Sequence, residues 1–248
     1  MSPIYVPGKV TLAKDYIPVD PDFNNVSLLL HGDGANGSTT IVDSSPTPKT
    51  VTAVGNAQIS TAQSKFGGAS IAFDGNGDYL SATPNAGYAF GTGDFTVETW
   101  VYPTSFPNTY HAIAATRGIA GVSTGWSWSV VDDGTLILYT NGFIYSGTAT
   151  GAVPLNAWTH VAMVRSNGSF QVYVAGVSNR PAGSVSIINN FTNQTLWIGT
   201  TGGVASGPGA GGDPFTGYIA DLRITKGIAR YTSNFTPPTA PFPDIESR

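Results

Sequence analysis

The 248 residues contain only two glutamates, Glu98 and Glu246. Retaining glycoside hydrolysis needs two carboxylates about 5–5.5 Å apart, commonly two Glu on one strand. Neither Glu has such a partner, and Asp132-Asp133 runs straight into Gly134, which reads as a turn. A metal site or catalytic triad built on imidazole would have to draw on His31, His111 and His160 alone. No Gly-x-Ser-x-Gly nucleophile elbow occurs, and with no cysteine neither thiolate ligands nor disulfides are available. The expectation is a protein that is not an enzyme and carries no catalytic cofactor.

Two other groups of residues could bind rather than react. Asp74-Gly-Asn76-Gly-Asp78 is rich in oxygen donors but lacks the twelve-residue, Glu-terminated spacing of an EF-hand loop. Asp74 and Asp78 could hold a structural calcium ion. Asp/Asn/Gly clusters mark turns more often than metals, so a turn is the favoured reading. Asp33 and Asp43 flank a second polar loop. The aromatic residues are the better lead. Trp126 and Trp128 alternate after Gly125 and so share one strand face, with Tyr139 and Tyr145 in the next strand pair. They either fill the core or form a surface on which sugar rings stack. The binding reading uses Trp126, Trp128, Tyr139 and Tyr145, beside the Gly-rich loop between Gly202 and Gly212. Trp100, Trp158 and Trp197 lie in regular strand patterns and are expected in the core. Glu98, Asp221 and Arg223 are expected to form a partly buried acid–arginine pair that holds the sheet together.

The elements that would position these residues are strands. Val161, Met163 and Arg165 alternate on one side of Ser166-Asn167-Gly168-Ser169, and Phe170, Val172 and Val174 on the other. That is a strong hairpin signal. Further strands are predicted at 26–31, 70–74, 78–81, 95–102, 111–116, 126–131, 135–140, 143–148, 184–188, 195–199 and 217–225. Gly75-Asn76-Gly77 is expected to close a tight hairpin between 70–74 and 78–81. No apolar stripe with helical spacing appears. The prediction is an all-β, two-sheet antiparallel sandwich covering residues 24–248, preceded by an extended arm over residues 1–23.

Four blocks, in order, resemble the laminin-G-like domains of the concanavalin A-like jelly-roll superfamily. They are Ser70–Leu80, Phe95–Val101, the Trp158–Gly176 hairpin with its Trp158-x-His160-Val161-Ala core, and Gly217–Ile224. Ala175 stands where the family usually has Asn. The resemblance implies a lectin-like sandwich that binds glycans or holds an assembly together, with structural calcium common near its loops. The ending Arg223 to Pro238 is similar to the close of such domains in bacteriophage structural and tail proteins.

Composition agrees with that setting. Charged residues make up 10% of the chain, against ~25% in ordinary soluble domains. The net charge of −4, without a basic run, is poor equipment for nucleic acid. No run approaches the ~18 apolar residues of a membrane span, and the first residues lack the pattern of an export signal. The expected role is a bacteriophage virion component: a capsid decoration, tail or fibre protein. The alternative is an adhesin for host surface polysaccharide. Pro3, Pro7, Pro18 and Pro21 keep the arm extended. Ile4, Tyr5, Val6 and Leu12 are its candidate anchors, either on its own domain or on other virion proteins within a homo-oligomer.

Overall fold

The computed structural model describes residues 18–116, 125–140, 143–146, 148–178, 190–192, 195–202 and 212–245. The arm anchors Ile4, Tyr5, Val6 and Leu12 and the predicted strand 184–188 lie outside them, as does most of the Gly-rich loop.

Sixteen strands are described. In chain order they are β1 (Val26–Leu30), β2 (Thr40–Ile41), β3 (Val51–Val54), β4 (Gln58–Ser60), β5 (Ser70–Asp74) and β6 (Tyr79–Ala82), then β7 (Phe95–Pro103), β8 (Tyr110–Ala115), β9 (Trp126–Val131), β10 (Leu136–Thr140) and β11 (Phe143–Ser146), and finally β12 (Thr159–Ser166), β13 (Ser169–Val174), β14 (Val177–Ser178), β15 (Leu196–Ile198) and β16 (Thr216–Lys226). They form two antiparallel sheets. The first runs β14-β13-β12-β7-β16-β5-β4, with β1 also paired to β16. The second runs β11-β10-β9-β8-β15-β6-β3-β2. The inner faces meet in one apolar core that includes Val97, Val101, Met163, Ile219, Leu138 and Ile198. The jelly-roll sandwich is therefore as expected.

Local chemistry explains the elements that position the site. In the β12–β13 hairpin, Asn167 and Gly168 both have positive φ, 49° and 74°. That is the two-residue turn whose twist suits the paired strands. Arg165 follows the inward alternation of Val161 and Met163 and is wholly buried. Its guanidinium donates to the carbonyls of Gly91 and Gly93 at 2.8 and 2.7 Å and lies 5.0 Å from the Phe95 ring. Burial lowers its pKa to about 10, so it stays charged at neutral pH.

Two expectations are corrected. Residues 70–74 and 78–81 do not form a hairpin: β5 belongs to the first sheet and β6 to the second. The Gly75-Asn76-Gly77 turn carries the chain across the sandwich, and each strand pairs elsewhere. The folded body also starts before residue 24. Asp20 is 3% exposed, and Phe23 packs with Val26, Leu29 and Phe242.

Candidate carbohydrate-binding site

Trp126 and Trp128 are not surface residues. Both are wholly buried, and Trp126 stacks on Phe90 at a centroid distance of 5.7 Å. Register explains this. Trp128 lies opposite the core residue Leu138, whereas Ser127 and Ser129 alternate onto the other face. The Trp-Ser alternation correctly gave one face, and burial of apolar area decides which face it is. Tyr139 pairs with Ser127 and stands on the outer face, away from both tryptophans. Tyr145 lies opposite Leu138 in register, and its side chain is outside the described set. The four residues thus do not form one platform.

Of the three tryptophans expected in the core, Trp100 is buried, whereas the other two reach the surface. Trp197 and Trp158 are both partly exposed. Trp197 pairs with Ala115, which pairs with Ser127, so Trp197, Ala115, Ser127 and Tyr139 form one row on the outer face of the second sheet. At the end of this sheet, Trp197 and Tyr79 line a cavity of 280 Å³ together with Asp78, Thr200, Gly202 and Gly212. Gly202 has φ +82°, and a Cβ there would come within 2.8 Å of the Trp197 ring. Only glycine lets the backbone pass so close to the indole. Thr200 Oγ1 donates to the Gly212 carbonyl at 2.6 Å and ties these two cavity-lining residues together. Sequence patterning missed this site because a three-residue strand carries too little alternation to show which side is covered.

Asp74 and Asp78 are brought together by the turn that crosses the sandwich. Asp78 is 1% exposed and accepts the backbone N–H of Asp74 at 2.7 Å and that of Asn56. Asp74 accepts the Asn76 N–H at 2.7 Å and the Asn56 side-chain amide at 2.9 Å. All four carboxylate oxygens thus face N–H donors, as a turn requires. Burial raises the Asp78 pKa; the Asn56 amide lowers that of Asp74. Among the described residues, no group of three or more His, Asp or Glu side chains is placed to hold a metal ion.

The remaining acidic and basic candidates form a buried network on the outer face of the first sheet. Arg223 donates to Glu98 Oε1 at 2.7 and 3.0 Å and to Asp20 at 3.0 Å. Arg230 grips the same Asp20 with two bonds, at 3.0 and 2.7 Å. The Tyr231 hydroxyl donates to Glu98 Oε2 at 2.7 Å, and His160 lies 3.4 Å from that oxygen. Burial alone would push the Glu98 carboxyl up. Arg223, His160 and Tyr231 outweigh it and hold the pKa down at about 2. The expected Glu98–Arg223 pair is present and fully buried. Asp221 departs from the simple pattern. It sits in a β-bulge at φ +54° and bonds His31 at 2.6 Å and the Phe242 N–H at 2.8 Å. The C-terminal segment, with Tyr231, Phe235 and Phe242, lies over this network as a strap, and the Phe242 ring sits 3.8 Å from the Arg223 guanidinium.

Comparison with known proteins fits this geometry. The sequence profile of the concanavalin A-like lectin/glucanase superfamily matches residues 74–229. The chain belongs to that superfamily. Among solved structures it is similar to domain 4 of an extracellular arabinanase from Geobacillus stearothermophilus, solved with arabinotriose. That likeness has a TM-score of 0.55 at 20% identity and covers 83% of this chain and 94% of that one. The binding domain of Paraclostridial Mosquitocidal Protein 1 gives 0.60 at 17% identity, covering 82% of this chain and 49% of that one. A structure of botulinum neurotoxin type C, whose cell entry is described as dependent upon interaction with two ganglioside molecules, gives 0.58 at 15% identity, covering 83% of this chain and 49% of that one. At these identities the likeness establishes the fold. No curated protein sequence matches significantly.

Proposed function

We propose that this protein is a non-catalytic carbohydrate-binding module. The observation that carries the reading is the cavity beside Trp197 and Tyr79, where an aromatic wall meets Gly202 and Gly212 backbone at one end of a lectin-like sandwich. Aromatic faces stack on sugar rings, and open glycine backbone can bond their hydroxyls. Its likeness to a domain solved with arabinotriose and to a toxin that interacts with gangliosides supports it. The non-catalytic part of the reading is supported by Glu98, which is buried, ionised and partnered, and so is not available as a general acid or nucleophile. A glycan array with purified protein tests the reading. Bound glycans whose affinity falls several-fold in Trp197→Ala, with Trp126→Ala affecting stability instead, support it. Binding to no glycan overturns it.

A second reading, favoured by the phage-like ending Arg223–Pro238, makes the protein a virion component that docks through its N-terminal segment onto capsid or tail proteins in a homo-oligomer. Arg223, Arg230, Tyr231 and Phe235 of that ending are the residues that fasten the strap. Co-assembly with particle proteins, lost on deleting residues 1–17, supports this reading. The deletion should stop there because Asp20 belongs to the buried network.

A further inference from the structure

The outer face of the first sheet has an open half beyond the strap, and register arranges that half in rows across the strands. Gln58 lies opposite Ala72, Ala72 opposite Tyr218, and Tyr218 opposite Tyr102. Because Thr159 pairs with Val101, Trp158 falls beside Tyr102 on the next strand. The rings are in contact, with centroids 6.0 Å apart for Tyr218 and Tyr102 and 5.5 Å for Tyr102 and Trp158. All three are partly exposed. Next to this aromatic row runs a polar one: Asn56, Asp74, Thr216 and Thr104, joined by the Asn56–Asp74 side-chain bond and the Thr104 N–H to Thr216 carbonyl bond. A cleft of 460 Å³ opens between Tyr218, Ala72 and Gln58 of the first row and the polar row, and the Tyr102 and Trp158 rings continue that first row beyond it.

We propose that this surface is a second glycan site, separate from the Trp197 cavity, that takes an extended, uncharged polysaccharide chain laid across the strands. The two-row arrangement defines the occupant. Strands repeat every ~4.8 Å, so a chain crossing them meets a new ring at each strand while its edge faces amide and hydroxyl groups. Hydrophobic protein segments would strip water from the row of Asn56, Asp74 and Thr104 without replacing its hydrogen bonds, at a desolvation cost. The charge pattern sets the class. Among the described residues lining the cleft there is no Lys or Arg, and Asp74 is an exposed carboxylate whose pKa is lowered by the Asn56 amide, so it is ionised at neutral pH. Lys65, one row away, has its ammonium 3.8 Å over the Trp100 ring. A uronate or sialylated chain would bring its carboxylates against Asp74 with no cation among the described residues lining the cleft to balance them; a neutral chain meets no such penalty.

The inference extends the carbohydrate-binding reading, and one experiment separates the two. Affinity electrophoresis and titration calorimetry of the full chain would use linear arabinan, glucomannan and hydroxyethyl cellulose as neutral probes, with alginate and polygalacturonate as acidic ones. The expected result is that Trp158→Ala and Tyr102→Ala each weaken binding of at least one neutral polymer by about fivefold to tenfold, as loss of one stacked ring implies. Trp158→Phe and Tyr102→Phe should retain most of the affinity, and acidic polymers should bind at least tenfold more weakly than neutral ones. Melting temperatures of the Ala variants within a few degrees of wild type would show that folding is intact. Neutral-polymer binding that is lost only in Trp197→Ala overturns the second site and leaves the first. Equal binding of acidic polymers overturns the charge assignment. Self-association or a protein partner lost in Tyr102→Ala, without any polysaccharide binding, overturns the occupant.

Discussion

One sheet face carries two opposite solutions. Over half of the outer face of the first sheet, the C-terminal strap buries Glu98, Asp20 and Arg223, with Arg230 half-buried beside them. On the other half, over which no described residue forms such a roof, Tyr102, Tyr218 and Trp158 are partly exposed. Ion pairs removed from water hold only when every partner is present. Rings with one face in water remain free to meet a ligand. Being charged therefore marks scaffold here, and being aromatic and only half covered marks candidate function, the reverse of the usual expectation that charge marks the site.

The largest effect should come from breaking the roofed half. Arg223→Met leaves Glu98 and Asp20 buried without their shared partner and should cost about 4 kcal/mol in urea unfolding. A loss under about 1 kcal/mol would show the network to be solvated and the contrast false. Phe242→Ala should follow at about 3 kcal/mol, because the ring is 4% exposed and covers both Arg223 and His160. Limited proteolysis should then cut first within the strap.

The next effect depends on pH. Burial opposes protonation of His31, but its bond to Asp221 and the charges of Asp221, Asp33 and Asp244 outweigh burial and raise its pKa above 6.5. A raised folded pKa gives stability that is fully present below 6.5 and lost as pH rises through the folded value. The melting temperature of wild type should therefore fall further between pH 6 and pH 8 than that of His31→Gln. Parallel pH profiles for the two proteins would contradict the assignment. The smallest effect should lie in the open half. Tyr218→Ala removes one cross-strand contact and should cost about 0.5 kcal/mol, while glycan binding responds more strongly. A cost of several kcal/mol would make Tyr218 structural.

The sequence was legible where one face of an element is wet and the other dry over several residues. The β12–β13 hairpin, β7 and β16 are long enough for alternation to fix both type and facing, and Glu98 with Arg223 was readable as a buried pair for the same reason. The strands β2, β3 and β4 went unseen because two to four residues give no period to detect. Asp74 to Asp78 has the composition of a hairpin turn. Its residues do form a tight turn, but each flanking strand joins a different sheet through pairings the local pattern does not show: β5 with β4 and β16, and β6 with β3 and β15. Trp158 and Trp197 were misplaced, and Trp126 was left open between core and surface, for a related reason. Trp126 and Trp158 both begin strand patterns, and only the covering by the opposite sheet distinguishes them.

β16 is made from residues 216–226, yet it occupies the middle of its sheet, paired to β7 and β5 and also to β1. During synthesis, β1, β5 and β7 emerge long before the strand that joins them. Until then their backbone edges are unpaired, a template for association with other chains. The closing step joins Val26 to Thr225, a very non-local contact, so folding should be slow and limited by the arrival of the last fifth of the chain. A fragment ending before Thr216 would lose the centre of its sheet and should aggregate.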